Sequence, residues 1–150
     1  MAAIDRPQQR PNLKKTIHHI LAHYEGKEPA VSGYIQGLAS YNTWIQAIQE
    51  EKLDSIGHAY QVALMKEARE HALCFLQDIH NFESEKEVRS AVASFQQVDH
   101  FYGELYPRFP YGFKDIQLNV RDHAVPLLKQ IQQAEAQGTH HLKKFLKKSF

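Results

Sequence analysis

Residues 84–105 read SEKEVRSAVASFQQVDHFYGEL, and the apolar spacing in that stretch decides the fold class. Val88, Val92, Phe95, Tyr102 and Leu105 recur at helical intervals, which places them on one face of a helix rather than on alternate faces of a strand. Ser84-Glu85-Lys86-Glu87 has the form of a capping box, in which Ser and Glu satisfy orphan backbone donors of the first turn. The same period recurs on both sides. Upstream, Asp54 or Ser55 caps a helix carrying Val62, Met65, Ala72, Leu76 and Ile79. Before it, a helix from Ser32 to Lys52 carries Tyr34, Leu38, Tyr41, Ile45 and Ile48, with Gly33 and Gly37 permitting close helix approach. The first helix starts at Asn12, carries Leu13, Ile17, Ile20, Leu21 and Tyr24, and ends at Gly26. Downstream, the two prolines of Tyr106-Pro107-Arg108-Phe109-Pro110-Tyr111-Gly112-Phe113 interrupt the pattern. Asp115 then caps a last helix with Leu127, Leu128, Ile131, Leu142 and Phe145, which Pro126 starts or kinks.

No stretch alternates apolar and polar residues as a strand would. Short connections make helical neighbours antiparallel, so the expected fold is all-α: an up-down four-helix bundle with an additional N-terminal helix. Residues 1–11 lack the apolar content to fold alone and are expected as a flexible tail, leaving 12–150 as a single domain. A hydrophobic fraction of 43% against 23% charged residues argues against a disordered chain. A net charge of +1 gives no basic footprint for nucleic acid. The lone Cys74 excludes an internal disulfide and fits a reducing compartment. Met1–Arg10 has no apolar h-region, and no apolar run reaches the length of a membrane span, so the expected location is cytoplasmic, without a transmembrane segment.

Ten histidines raise the question of metal. His19 and His23 share a helical face at the border of their apolar stripe and are the candidate ligands. His100 and Glu104 have the same spacing but lie opposite Phe95 and Tyr102, hence in solvent. The Glu-x-x-His pairs of a di-iron carboxylate bundle are absent, and His18-His19 and His140-His141 are adjacent residues that point to different faces. No metal or other cofactor is therefore expected. Cys74, between Leu73 and Phe75, reads as a small apolar residue rather than a nucleophile, and no phosphate loop, dinucleotide fingerprint or Gly-x-Ser-x-Gly occurs. The C-terminal run from Leu142 to Phe150 is basic and amphipathic: it is either a solvated last turn that complements the helix dipole or a surface for an anionic membrane or acidic partner.

Polar residues on faces that otherwise read as core are more informative, because an isolated charge there must pair, reach water or mark a site. Arg69 lies in line with Val62, Met65, Ala72 and Leu76, and Glu135 in line with Leu128, Ile131 and Leu142. Counting about 1.5 Å of rise per residue places Tyr41, Arg69 and Glu135 at similar depth, with the Tyr41 hydroxyl positioned to donate to the carboxylate. His58, Asp99 and His123 form a shallower layer beneath the aromatic loop. These residues are either buried structural networks or the floor of a small pocket roofed by Tyr106, Phe109, Tyr111 and Phe113.

Four segments share an order with a known family: Gly37-Leu38-x-x-Tyr41-x-x-Trp44, Ala68-Arg69-x-x-Ala72-x-x-Phe75-Leu76, Tyr106-Pro107-Arg108-Phe109-Pro110, and Leu127-Leu128-Lys129-Gln130-Ile131-x-x-Ala134-Glu135. From Val31 to Phe150 this resembles the helical domain that accompanies the papain-like domain in butirosin-H-type proteins of peptide and antibiotic biosynthesis. No papain-like domain and no catalytic Cys–His pair are expected in these residues, so that family's acyltransferase or peptidase activity is not carried over. The resemblance implies a helical accessory or binding module, with Arg69 and Glu135 at recurrent polar positions.

The expected function is a non-catalytic module that binds a small molecule or a protein. The alternative is a metal-dependent enzyme of the DinB or hemerythrin-like bundle type with histidine ligands. Trp44 and the aromatic loop offer more apolar surface than four helices need to bury, which predicts a homodimer through one or the other.

Overall fold

A computed structural model describes residues 6–26, 37–50, 55–82, 85–108 and 118–149. Among them the chain is all-α: α1 (Arg6–Tyr24), a 3-10 turn (Gly37–Ala39), α2 (Ser40–Gln49), α3 (Ser55–Phe82), α4 (Lys86–Leu105), a second 3-10 turn (Tyr106–Arg108) and α5 (Leu118–Ser149). No helix among the described residues is long and apolar enough to cross a membrane.

The helices form a bundle in which α5 is the hub, packing most extensively on α4 and also on α1 and α2, while α3 packs on α4. Directions follow from the side chains that meet. Glu87 reaches His141 and Lys148, and Phe95 lies against Gly138, so α4 and α5 are antiparallel. Likewise Tyr24 meets Glu135 while Leu21 and His18 lie near Leu146 and Lys147, so α1 is antiparallel to α5. Gln132 donates to the Leu38 carbonyl at 2.9 Å and to Asn42 Oδ1 at 3.2 Å, tying α5 to the start of α2.

The expected stripes build the core. Ile17, Leu21, Tyr41, Ile48, Val62, Leu76, Val88, Phe95, Tyr102, Leu105, Leu128, Ile131, Leu142 and Phe145 are all buried. Removing such surface from water is the main favourable contribution to folding. Gly26 ends α1 as expected, with a positive φ of 72°. Gly37 also has a positive φ, 73°, and a Cβ there would come within 2.4 Å of the Tyr24 carbonyl oxygen; the close approach is of the 3-10 turn to the end of α1.

Several boundaries differ from the sequence reading. α1 begins at Arg6 rather than Asn12, so the helix takes in residues 6–11. Pro7 lies in its first turn, where the backbone donor is unbonded in any helix. Pro126 lies inside α5 rather than at its start. The cap of α4 is Glu85, with no side-chain capping bond, and the Glu87 carboxylate reaches α5. Tyr34, Gly33, Ser84, Asp115 and the loop residues Phe109, Tyr111 and Phe113 lie outside the described residues.

Candidate functional site

Each of the five α-helices contributes one polar side chain to a buried centre: Tyr24 from α1, Tyr41 from α2, Arg69 from α3, Tyr102 from α4 and Glu135 from α5. Every one of these positions belongs to an apolar stripe of its helix, which is why all five converge on the bundle axis. Arg69 Nε donates to Glu135 Oε1 at 2.8 Å, and the carboxylate is fully shielded from solvent. The guanidinium carbon lies 5.4 Å from the Tyr24 ring centroid and 5.9 Å from that of Tyr102, so the cation also faces two aromatic rings.

The expected partner of the Glu135 carboxylate was Tyr41, and here the structure differs. The hydroxyls of Tyr41 and Tyr102 hydrogen-bond each other at 2.6 Å. Tyr24 instead donates to Glu135 Oε1, at 3.5 Å, a long and weak contact. Glu135 Oε2 is buried and has no hydrogen-bond partner among the described residues. Tyr24 and Tyr102 read in the sequence only as core. The available signal was tyrosine at inward positions, since a buried phenol normally requires a polar partner.

Electrostatics fix the protonation states. Burial pushes the phenol of Tyr24 above its ordinary value, and the Glu135 charge adds to this while Arg69 opposes it. Tyr41 is raised by the same burial and carboxylate. Tyr102 is raised chiefly by burial, against the opposing Arg69 charge. For Arg69, burial alone would lower the value, but the Glu135 charge holds it well above the ordinary one. The three phenols stay protonated and the guanidinium stays charged.

Of the other expected site residues, Trp44 touches this centre. Asp99 is half-buried, His123 is exposed, and the His58 side chain lies outside the described residues. Trp44 is half-buried and stacks on Tyr41, with centroids 6.0 Å apart and planes 18° from parallel. Tyr106 is 40% exposed, and the Lys66 ammonium lies over its ring at 5.9 Å. His19 and His23 are exposed. Among the described residues no three His, Cys, Asp or Glu side chains group as metal ligands. His100 and Glu104 are exposed and pair with each other at 3.0 Å, as the helical wheel predicts. Cys74, read as a small apolar residue, is exposed, because it lies on the opposite face of α3 from Arg69 and Leu76.

The described residues form surface cavities. One, of about 360 Å³, lies between α1 and α5, with Leu21, Ala22 and Leu146 as its floor and His18, Glu25, Lys143 and Lys147 around it. Lys143 Nζ pairs with Glu25 Oε1 at 2.5 Å across one end. Another, of about 340 Å³, lies where Gln49 faces Asp122, Val125 and Pro126. At the opposite end of α4, Glu87 accepts from Lys148 at 3.2 Å and bonds His141 Nδ1 at 3.0 Å. Its hydrogen bond to His141, then that to Lys148, holds the carboxyl below its ordinary value.

The chain matches no protein-family model, no curated protein sequence and no solved structure.

Proposed function

We propose that the chain is a non-catalytic helical binding module for a small-molecule or protein partner. The observation that carries this reading is the chemical state of the five-helix centre. Arg69 and Glu135 pair at 2.8 Å, and burial pushes the three phenols above their ordinary value, so the side chains of this centre are committed to one another across the helices. Such a centre sets the mutual position of the helices, as a fixed frame for surface grooves. The resemblance to the helical domain of butirosin-H-type proteins belongs to the same reading, an accessory module without the papain-like chemistry.

A homodimer is part of the proposal. Among the described residues Tyr60, Leu64 and Tyr106 are exposed large apolar side chains, and with the flank of Trp44 they supply surface for it. A cytoplasmic location is proposed as well: an exposed free Cys74 remains a thiol in a reducing compartment. Elemental analysis of freshly purified protein tests the reading, with no stoichiometric metal expected. A stoichiometric metal lost on replacing His19 and His23 would establish the metal-enzyme alternative and overturn it. Light scattering across a dilution series tests the dimer, and a concentration-independent monomer refutes it.

A further inference from the structure

We propose that the groove between α1 and α5 docks an acidic amphipathic helix of a partner protein, an inference that rests on the binding-module reading and assigns it a surface and a partner chemistry. Two antiparallel helices leave a concave seam into which a third helix seats by ridges-into-grooves packing. Here the floor is apolar, from Leu21 and Leu146, and Ala22 is small enough to admit a ridge of the incoming helix.

The surrounding charge selects the partner. Lys143 and Lys147 stand four residues apart along the α5 wall, and His18 lines the α1 wall. Lys15, which is exposed, precedes His18 by about one helical turn and continues that wall. Among the described residues Glu25 is the carboxylate that lines the groove, and Lys143 engages it. An apolar floor between cationic walls complements a helix with leucines on one face and glutamates beside them. A bilayer is a poorer match, because these apolar side chains form the bottom of a recess, whereas an interfacial helix must project its apolar face into lipid.

The test uses fluorescence anisotropy of a labelled synthetic helix with leucine at three- and four-residue spacing and glutamate on the flanking faces. Wild-type protein is expected to bind it with a dissociation constant on the order of micromolar, more weakly as salt rises. Reversing Lys143 and Lys147 together to Glu should weaken binding by about tenfold or more. Reversing Lys86 and Arg89 to Glu, on exposed positions of α4, changes the net charge equally and should leave binding unchanged. Glu25→Gln releases Lys143 to the ligand and should tighten binding about threefold. Ala22→Glu, which fills and acidifies the groove at a half-buried helical position, should abolish binding while circular dichroism remains that of wild type.

No binding to wild type overturns the proposal; the binding-module reading then still stands or falls on the metal analysis. Equal binding of a lysine-substituted peptide, or equal loss in the α4 double variant, also overturns it. So does binding to phosphatidylserine vesicles that the acidic peptide does not displace.

Discussion

Removing one partner of the Arg69–Glu135 pair should be among the most damaging changes available in this chain. The pair is buried on both sides, with side-chain exposures of 9% and 0% and a 2.8 Å contact. With the delocalised charges about 4 Å apart and an effective dielectric constant of about 20, their attraction is about 4 kcal/mol. That agrees with the roughly 3–5 kcal/mol lost when a buried pair is broken and a lone charge remains. The two single variants should not be equal. After Glu135→Leu, the stranded guanidinium still faces the Tyr24 and Tyr102 rings, worth about 0.5–2 kcal/mol. After Arg69→Met, the stranded carboxylate keeps only the long Tyr24 contact. Arg69→Met should therefore be the less stable variant by about 1 kcal/mol. The double variant Arg69→Met/Glu135→Leu should recover most of the loss, because apolar groups of similar volume carry no desolvation penalty. Urea unfolding followed by circular dichroism gives the four free energies, and the cycle should yield a coupling of about 3 kcal/mol. Near-zero coupling, with both single variants as stable as wild type, would mean that the side chains reach water. A reversed order of the single variants would refute the role given to the aromatic rings.

Three more outcomes follow from the same geometry. The phenols of Tyr24, Tyr41 and Tyr102 are raised above 10.0, so their contribution is present below that pH and is lost as pH rises through the folded values. In an alkaline titration, three of the seven tyrosines should ionise only as helical circular dichroism collapses; gradual ionisation of all seven in the folded chain would contradict their burial. Glu87 is depressed below 4.5, so its contribution is present above that value and fades as pH falls through the lower folded value. Wild type should accordingly exceed Glu87→Gln in stability at neutral pH and lose that advantage in acid, whereas a pH-independent gap would discount the contacts to His141 and Lys148. Gly138→Ala would place a Cβ 2.5 Å from Cε2 of the buried Phe95 ring. Overpacking of about 1–3 kcal/mol should outweigh the roughly 1 kcal/mol gain in helix propensity, and chemical denaturation that finds the variant more stable would refute the close crossing of α4 and α5.

The five helices and their inward faces were legible along the chain because periodicity is a local property. Residues three and four apart share a face whatever surrounds them, so Arg69 and Glu135 could be recognised as inward charges, and His100 with Glu104 as an outward pair. The depth count that grouped Tyr41, Arg69 and Glu135 also succeeded in bringing them to one centre. It stopped short of atomic partners. The Tyr41 hydroxyl goes to Tyr102, Tyr24 takes the contact expected of Tyr41, and Glu87 leaves its own helix terminus for the end of α5.

These choices belong to tertiary structure for a physical reason. A shift of one residue along a helix moves a side chain by about 1.5 Å and turns it by about 100°, more than the tolerance of a hydrogen bond. Tyr24 and Glu135 are separated by 111 residues, and nothing local to either specifies that shift. The sequence by itself determined which residues point inward, through the helical repeat. Only the packing of α1, α2 and α4 on α5, and of α3 on α4, decided which of those inward groups meet.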